Sequence, residues 1–184
     1  MVADFFTFLR ILTSLYIIYL GIFNTGNFHI YFYAILIGWT SDILDGYFAR
    51  IFKKEGNLGK YDFEIDLFFE WAFFFYLYRS NFVNSTIFIL YNIIFFFLIF
   101  FLPSKTLLMS LQAPVTFTPF VIAFLNYIDL RVVSIFWISI NIILFYKRFF
   151  NVIKEYIQGI PLGELKRKKN WENKESLNYR NLFT

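Results

Sequence analysis

"SDILDGYFAR", Ser41 to Arg50, decides how this chain is read. It closes a long apolar run, yet it carries Asp42, Asp45 and Arg50. "KYDFEID", Lys60 to Asp66, opens the next apolar run with Asp62 and Asp66. Four carboxylates therefore stand where the surrounding composition suits lipid.

That composition is extreme. Of 184 residues, 59% are hydrophobic and 29 are Phe. A soluble domain is far less apolar, so lipid is the expected solvent. Cysteine is absent, which excludes disulfides, thiol nucleophiles and thiolate metal sites. The formal charge of +4 is read as membrane topology and affinity for anionic headgroups, not for nucleic acid. The start, "MVADFFTFLR", has no basic residue before the apolar run and no clear cleavage site, so the first apolar segment is expected to stay.

A spanning helix needs about 20 mostly apolar residues. Six segments qualify: 4–23, 29–52, 61–79, 83–102, 107–127 and 131–149. "NTGN", "KKEGNLGK" and "LPSK" supply turn chemistry between them. The fold class is therefore an all-α membrane protein of six transmembrane helices. Residues 1–158 form the helical domain, and 159–184 form a basic, polar tail that contacts anionic lipid through Lys166 to Lys169. Lys53, Lys54, Lys60 and Lys105 lie on one side, with Lys147, Arg148 and Lys154; the other side holds Arg79, Arg131 and Asp129. The positive-inside rule then puts both termini and the 53–60 loop in the cytoplasm of a cell-membrane protein.

On a helix, residues three and four apart share a face. Asp42, Asp45, Gly46, Ala49 and Arg50 fall within an arc of roughly 140° at ~100° per residue. On the next segment Asp62, Asp66, Phe69 and Glu70 share a face, and Glu64 points away. The connecting loop is short, so the two acidic faces are expected to meet just inside the cytoplasmic boundary. Like charges that close cannot all ionise unassisted. A hard cation with oxygen ligands, Mg²⁺ or Mn²⁺, is the usual remedy. Two such ions would balance four carboxylates, and a two-metal site suits displacement at phosphorus. Gly46 lets a phosphate approach the helix backbone. Arg50 offers a forked donor for it.

Other readings weigh less. A single aspartate paired with Arg10 or Arg50 would be a structural ion pair. Gly46 and Ala49 alone would be close helix packing. A small ion or proton transporter also buries carboxylates, but more often near mid-membrane along a polar path. A non-enzymatic scaffold accounts for the phenylalanines and not for the acids.

With these residues in place, the chain resembles the CDP-alcohol phosphatidyltransferases, whose signature is D-x2-D-G-x2-A-R-x8-G-x3-D-x3-D. Asp42, Asp45, Gly46, Ala49 and Arg50 stand at the family spacing, and Gly59 follows after eight residues. A strict count then puts the third aspartate at Phe63. Asp62 and Asp66 keep their mutual spacing but come one residue early, which we read as a deletion between Gly59 and Asp62. The resemblance implies a six-helix bundle, homodimeric, with its active site on the cytoplasmic side. It implies transfer of a phosphatidyl or ether-lipid phosphoryl group from a CDP-lipid such as CDP-diacylglycerol to an alcohol, with release of CMP. By motif position Asp42, Asp45 and Asp62 are metal ligands, and Asp66 reaches the second metal and is the general base. Gly46, Ala49 and Arg50 lie against the CDP part of the donor. The shared motif suits glycerol 3-phosphate, inositol phosphate, inositol, serine or a lipid alcohol as acceptor. Spare cations on the inside loops favour a small phosphorylated alcohol.

Weaker positions complete the reading. Arg10 either binds phosphate or snorkels to the interface. Lys105 either holds an anionic acceptor or marks the inside loop. Gln112, Asn92 and Asn141 are candidates for bonds between helices. Pro114 and Pro119 are expected to bend their helix. His29 is an interfacial residue on the outer side.

Overall fold

A computed structural model describes residues 2–52, 58–101 and 105–159. The tail from 160, including Lys166 to Lys169, lies outside the described residues, as do Lys53, Lys54 and the side chains of Arg50, Lys60 and Lys105. Among the described residues the chain is entirely helical. The elements are α1 (Val2–Phe23), α2 (Phe28–Phe52), a 3₁₀ turn (Gly59–Tyr61), α3 (Asp62–Arg79), α4 (Ser85–Phe101), α5 (Lys105–Asn126) and α6 (Ile128–Gly159). Five begin and end within a few residues of the apolar segments. The sixth continues ten residues past its expected end, and its backbone leaves helical geometry at Phe145 (φ −123°, ψ 26°).

The packing has a clear centre. α1 lies against both α2 and α3, α5 pairs with α6, and α4 touches α3 and α5. The core is aromatic: Tyr31 stacks on Tyr76 with ring centroids 3.8 Å apart, and Trp39 stacks on Phe120 at 5.0 Å. Gly38 makes the α2–α3 approach possible. A Cβ built there falls within the buried Phe69 ring. Gly38→Ala is therefore expected to destabilise the chain by about 1–3 kcal/mol through overpacking. Thermal unfolding in detergent reads this, and an unchanged midpoint would mean that the ring moves aside freely.

Two stretches, Asp4–Phe23 and Ile128–Tyr146, are long and apolar enough to cross a membrane on composition, and α4 is a shorter apolar helix. The expectation of six spans is thus supported for two of the helices. Among the others, α2 and α3 bring acids into their windows and α4 is 17 residues long. Only 11% of the apolar α6 window is buried by protein. Phe100, Phe101, Phe136 and Ile143 are all more than 65% exposed. Apolar surface on that scale calls for lipid or a second protein.

Polar side chains also tie the helices together, two of the contacts at the end of the bundle away from the acidic residues. Arg79 Nε donates to Gly21 O at 3.2 Å, and His29 Nε2 meets Asp129 Oδ2 at 2.9 Å. Trp71 Nε1 donates to Asn92 Oδ1 at 3.1 Å, so Asn92 joins α4 to α3 as expected. Asn141 differs from the expectation. Its amide donates to Trp137 O one turn back in its own helix, which satisfies the group without a neighbour.

Candidate active site

Helical periodicity gathers the four aspartates. Asp42 and Asp45 project from one face of α2, and Asp62 and Asp66 from the first turns of α3. All four converge on Arg10 of α1. Arg10 NH2 donates to Asp42 Oδ1 at 2.9 Å and to Asp45 Oδ2 at 3.3 Å. Arg10 NH1 donates to Asp62 Oδ1 at 2.8 Å and to Asp66 Oδ1. Glu64 is exposed, away from the cluster, as its helical phase requires. A 3₁₀ turn, Gly59–Tyr61, leads directly into Asp62. Phe63, where a strict motif count would need an acid, is 38% exposed.

The four acids are not equivalent. Carboxylate oxygens of Asp42, Asp62 and Asp66 lie within 4.8 Å of one another. Their side chains are 30%, 44% and 43% exposed, so this trio opens to the surroundings. Asp45 sits apart. It is only 12% exposed at its side chain, and Thr7 Oγ1 donates to its Oδ2 at 2.8 Å. The expected set of four metal ligands is therefore brought together as three, with Asp45 directed toward α1. The trio suits a hard divalent cation: the donors are all carboxylate oxygens, and each is partly exposed. Among the described residues, four carboxylates meet one guanidinium, and that excess of negative charge suits such an ion.

Several placements correct or sharpen the sequence reading. Arg10 does not snorkel. Its side chain is 0% exposed, because four carboxylates hold the guanidinium inside. The same bonds turn its fork toward protein oxygens and not toward a free phosphate. Glu70 shares the acidic face of α3 but belongs to a different pair: Thr116 of α5 donates to its Oε1 at 3.1 Å. Gly46 and Ala49 are half-buried on α2 beyond Asp45. Thr7 was missed, although Thr7 and Arg10 are three residues apart on the face of α1 that meets the acids. Asp4 was missed too; its Oδ1 accepts from Leu58 N at 2.9 Å and ties the start of α1 to the turn before α3.

Beside the cluster runs an apolar cavity of about 450 Å³ between α2, α5 and α6. Trp39, Ile43, Phe120, Trp137 and Phe145 line it, and Asp42 stands on its wall. Asp42 thus borders both the acid cluster and an apolar groove.

The family model for CDP-alcohol phosphatidyltransferases matches residues 1–153, a span that includes every acid of the cluster and the whole motif. No curated protein and no solved structure gives a significant match to the chain.

Proposed function

The chain belongs to the CDP-alcohol phosphatidyltransferase family, and from that premise we propose that it transfers a phosphatidyl or ether-lipid phosphoryl group from a CDP-lipid to a small phosphorylated alcohol, releasing CMP. The family places it among membrane-associated transferases of phospholipid biosynthesis. One observation carries the finer reading: acids from two helices meet, and one of them also walls an apolar groove. A donor with a charged pyrophosphate and a hydrocarbon chain has that same division. Its phosphates belong at the acids and its chain in the groove.

In this reading Asp42, Asp62 and Asp66 hold Mg²⁺ or Mn²⁺, with Asp45 completing the set as it turns from Thr7. When bound, divalent ions neutralise phosphate charge and favour in-line displacement at phosphorus. Asp66 takes the proton of the acceptor hydroxyl. The acceptor oxygen forms the new bond to phosphorus, and the bond to the CMP oxygen breaks. Gly46, Ala49 and Arg50 lie against the CDP part. Lys105 and the loop lysines attract an anionic acceptor, and the protein works as a homodimer in the membrane. CMP release from CDP-diacylglycerol tests this, with and without divalent metal, across a panel of glycerol 3-phosphate, inositol phosphate, inositol and serine. Release only with a phosphorylated acceptor and metal is expected. Release without metal, or with none of the alcohols, would overturn the reading.

The reading also places both termini and the acid cluster on the cytoplasmic side. Because the chain has no cysteine, a single cysteine at Gly56 reports topology cleanly. An impermeant thiol reagent should label it only after the membrane is opened. Labelling from outside intact cells would reverse the orientation.

A further inference from the structure

Arg10 carries an inference of its own. It comes from the middle of an apolar helix, its side chain is 0% exposed, and it bonds to all four aspartates. The fork divides by helix. NH2 takes the two acids of α2, and NH1 takes the two of α3. The Nε is buried with no partner among the described residues, and the bonds to the acids come from the two terminal nitrogens. Thr13 and Ser14 both donate to Arg10 O at 2.8 Å, which satisfies that carbonyl within α1. We infer that Arg10 is a built-in counter-ion, a positioning residue that sets α2 and α3 in register by holding one acidic pair with each nitrogen.

The physical case rests on charge and shape. Carboxylates this close repel one another, and around the buried guanidinium and Asp45 water screens that repulsion less. A planar fork with fixed donor directions can bind two pairs at once, which a compact ammonium cannot. A divalent ion at the Asp42–Asp62–Asp66 trio would neutralise the same charges. Arg10 and the ion are therefore two solutions to one repulsion, and the loss of either makes the chain depend more on the other. Removing one partner from a buried ionic cluster is costly because the remaining charges stay behind.

The test is thermal unfolding of the full chain in detergent, which is independent of the donor and acceptor assigned above. In EDTA, Arg10→Gln should lower the midpoint by roughly 10 °C. Adding Mg²⁺ should raise the midpoint of this variant more than that of the wild type. Removing two acids as well, in Arg10→Gln/Asp62→Asn/Asp66→Asn, should restore most of the loss in EDTA. Arg10→Lys should fall between Gln and wild type. An Arg10→Gln midpoint equal to wild type would overturn the inference. So would an equal Mg²⁺ response, or a loss that the two Asn substitutions do not relieve, since that pattern belongs to lost packing. If Arg10→Gln yields no folded protein, the triple variant decides. Its folding supports the counter-ion role, and its failure, with Asp62→Asn/Asp66→Asn folded, overturns it.

Discussion

Asp42→Asn should abolish metal-dependent CMP release while leaving the chain folded. Asp42 is the acid with the most separate duties. Its carboxylate lies within 4.8 Å of those of Asp62 and Asp66, it accepts from Arg10 NH2 at 2.9 Å, and it borders the apolar groove. Asn keeps the shape and one carbonyl oxygen, so the bond from Arg10 can persist. What disappears is the negative charge and an anionic oxygen ligand. Changes to groups that merely orient a ligand cost about 10–100-fold in metal affinity or activity, so loss of the ligand itself should exceed ~10²-fold in turnover. The measurement is CMP release over a range of Mg²⁺, beside a melting curve of the same preparation. Wild-type turnover at low Mg²⁺ would remove Asp42 from the metal site. A collapsed melting curve would assign it to structure.

The sequence disclosed whatever depends on periodicity and composition. Asp42 and Asp45 share a face because they are three residues apart, and Asp62 and Asp66 because they are four apart. The short loop between their helices then makes convergence almost unavoidable. Helix limits followed from apolar runs ended by Gly, Asn and Pro. What stayed hidden depends on partners far along the chain. A lone arginine in an apolar helix reads the same whether it snorkels or faces buried acids. Only the packing of α1 against both α2 and α3 decides for Arg10. The Thr7–Asp45 and Glu70–Thr116 bonds are of the same kind, since neither partner predicts the other by spacing. Gly38 looked like any helical glycine until the Phe69 ring was seen across from it. Six spans were expected from apolar length; among the described residues two stretches qualify on length and composition, since α2 and α3 carry several charges and α4 is 17 residues long. The acid cluster and the membrane signal compete for the same helices, because the acids lower the hydropathy of the segments that carry them.

Asp66→Asn should remove most turnover but spare donor binding. The acceptor is an alcohol in the proposed reaction, and its proton must leave as its oxygen attacks phosphorus. His29 is paired with Asp129 at the far end of the bundle, and the chain has no cysteine, so the carboxylates are the groups the proposed reaction assigns that proton to. Asp45 is buried beneath Thr7 and Arg10, which leaves the open trio. Within it, Asp42 walls the groove assigned to the lipid chain, and Asp62 opens α3 directly after the 3₁₀ turn. Asp66 lies one turn further along α3, with its side chain 43% exposed, and can face an acceptor while Asp42 and Asp62 hold metal. General-base loss costs about 10²–10⁴-fold in rate. Asn cannot accept a proton at the working pH, yet it preserves an oxygen for a metal or for Arg10. Affinity for CDP-diacylglycerol with Mg²⁺ should therefore stay within a few-fold of wild type while turnover falls by that range. Turnover close to wild type would pass the role of base to another group. Joint loss of donor and metal binding would make Asp66 chiefly a ligand. Its place within 4.8 Å of the other two carboxylates allows either duty, and only affinity and rate measured on one preparation separate them.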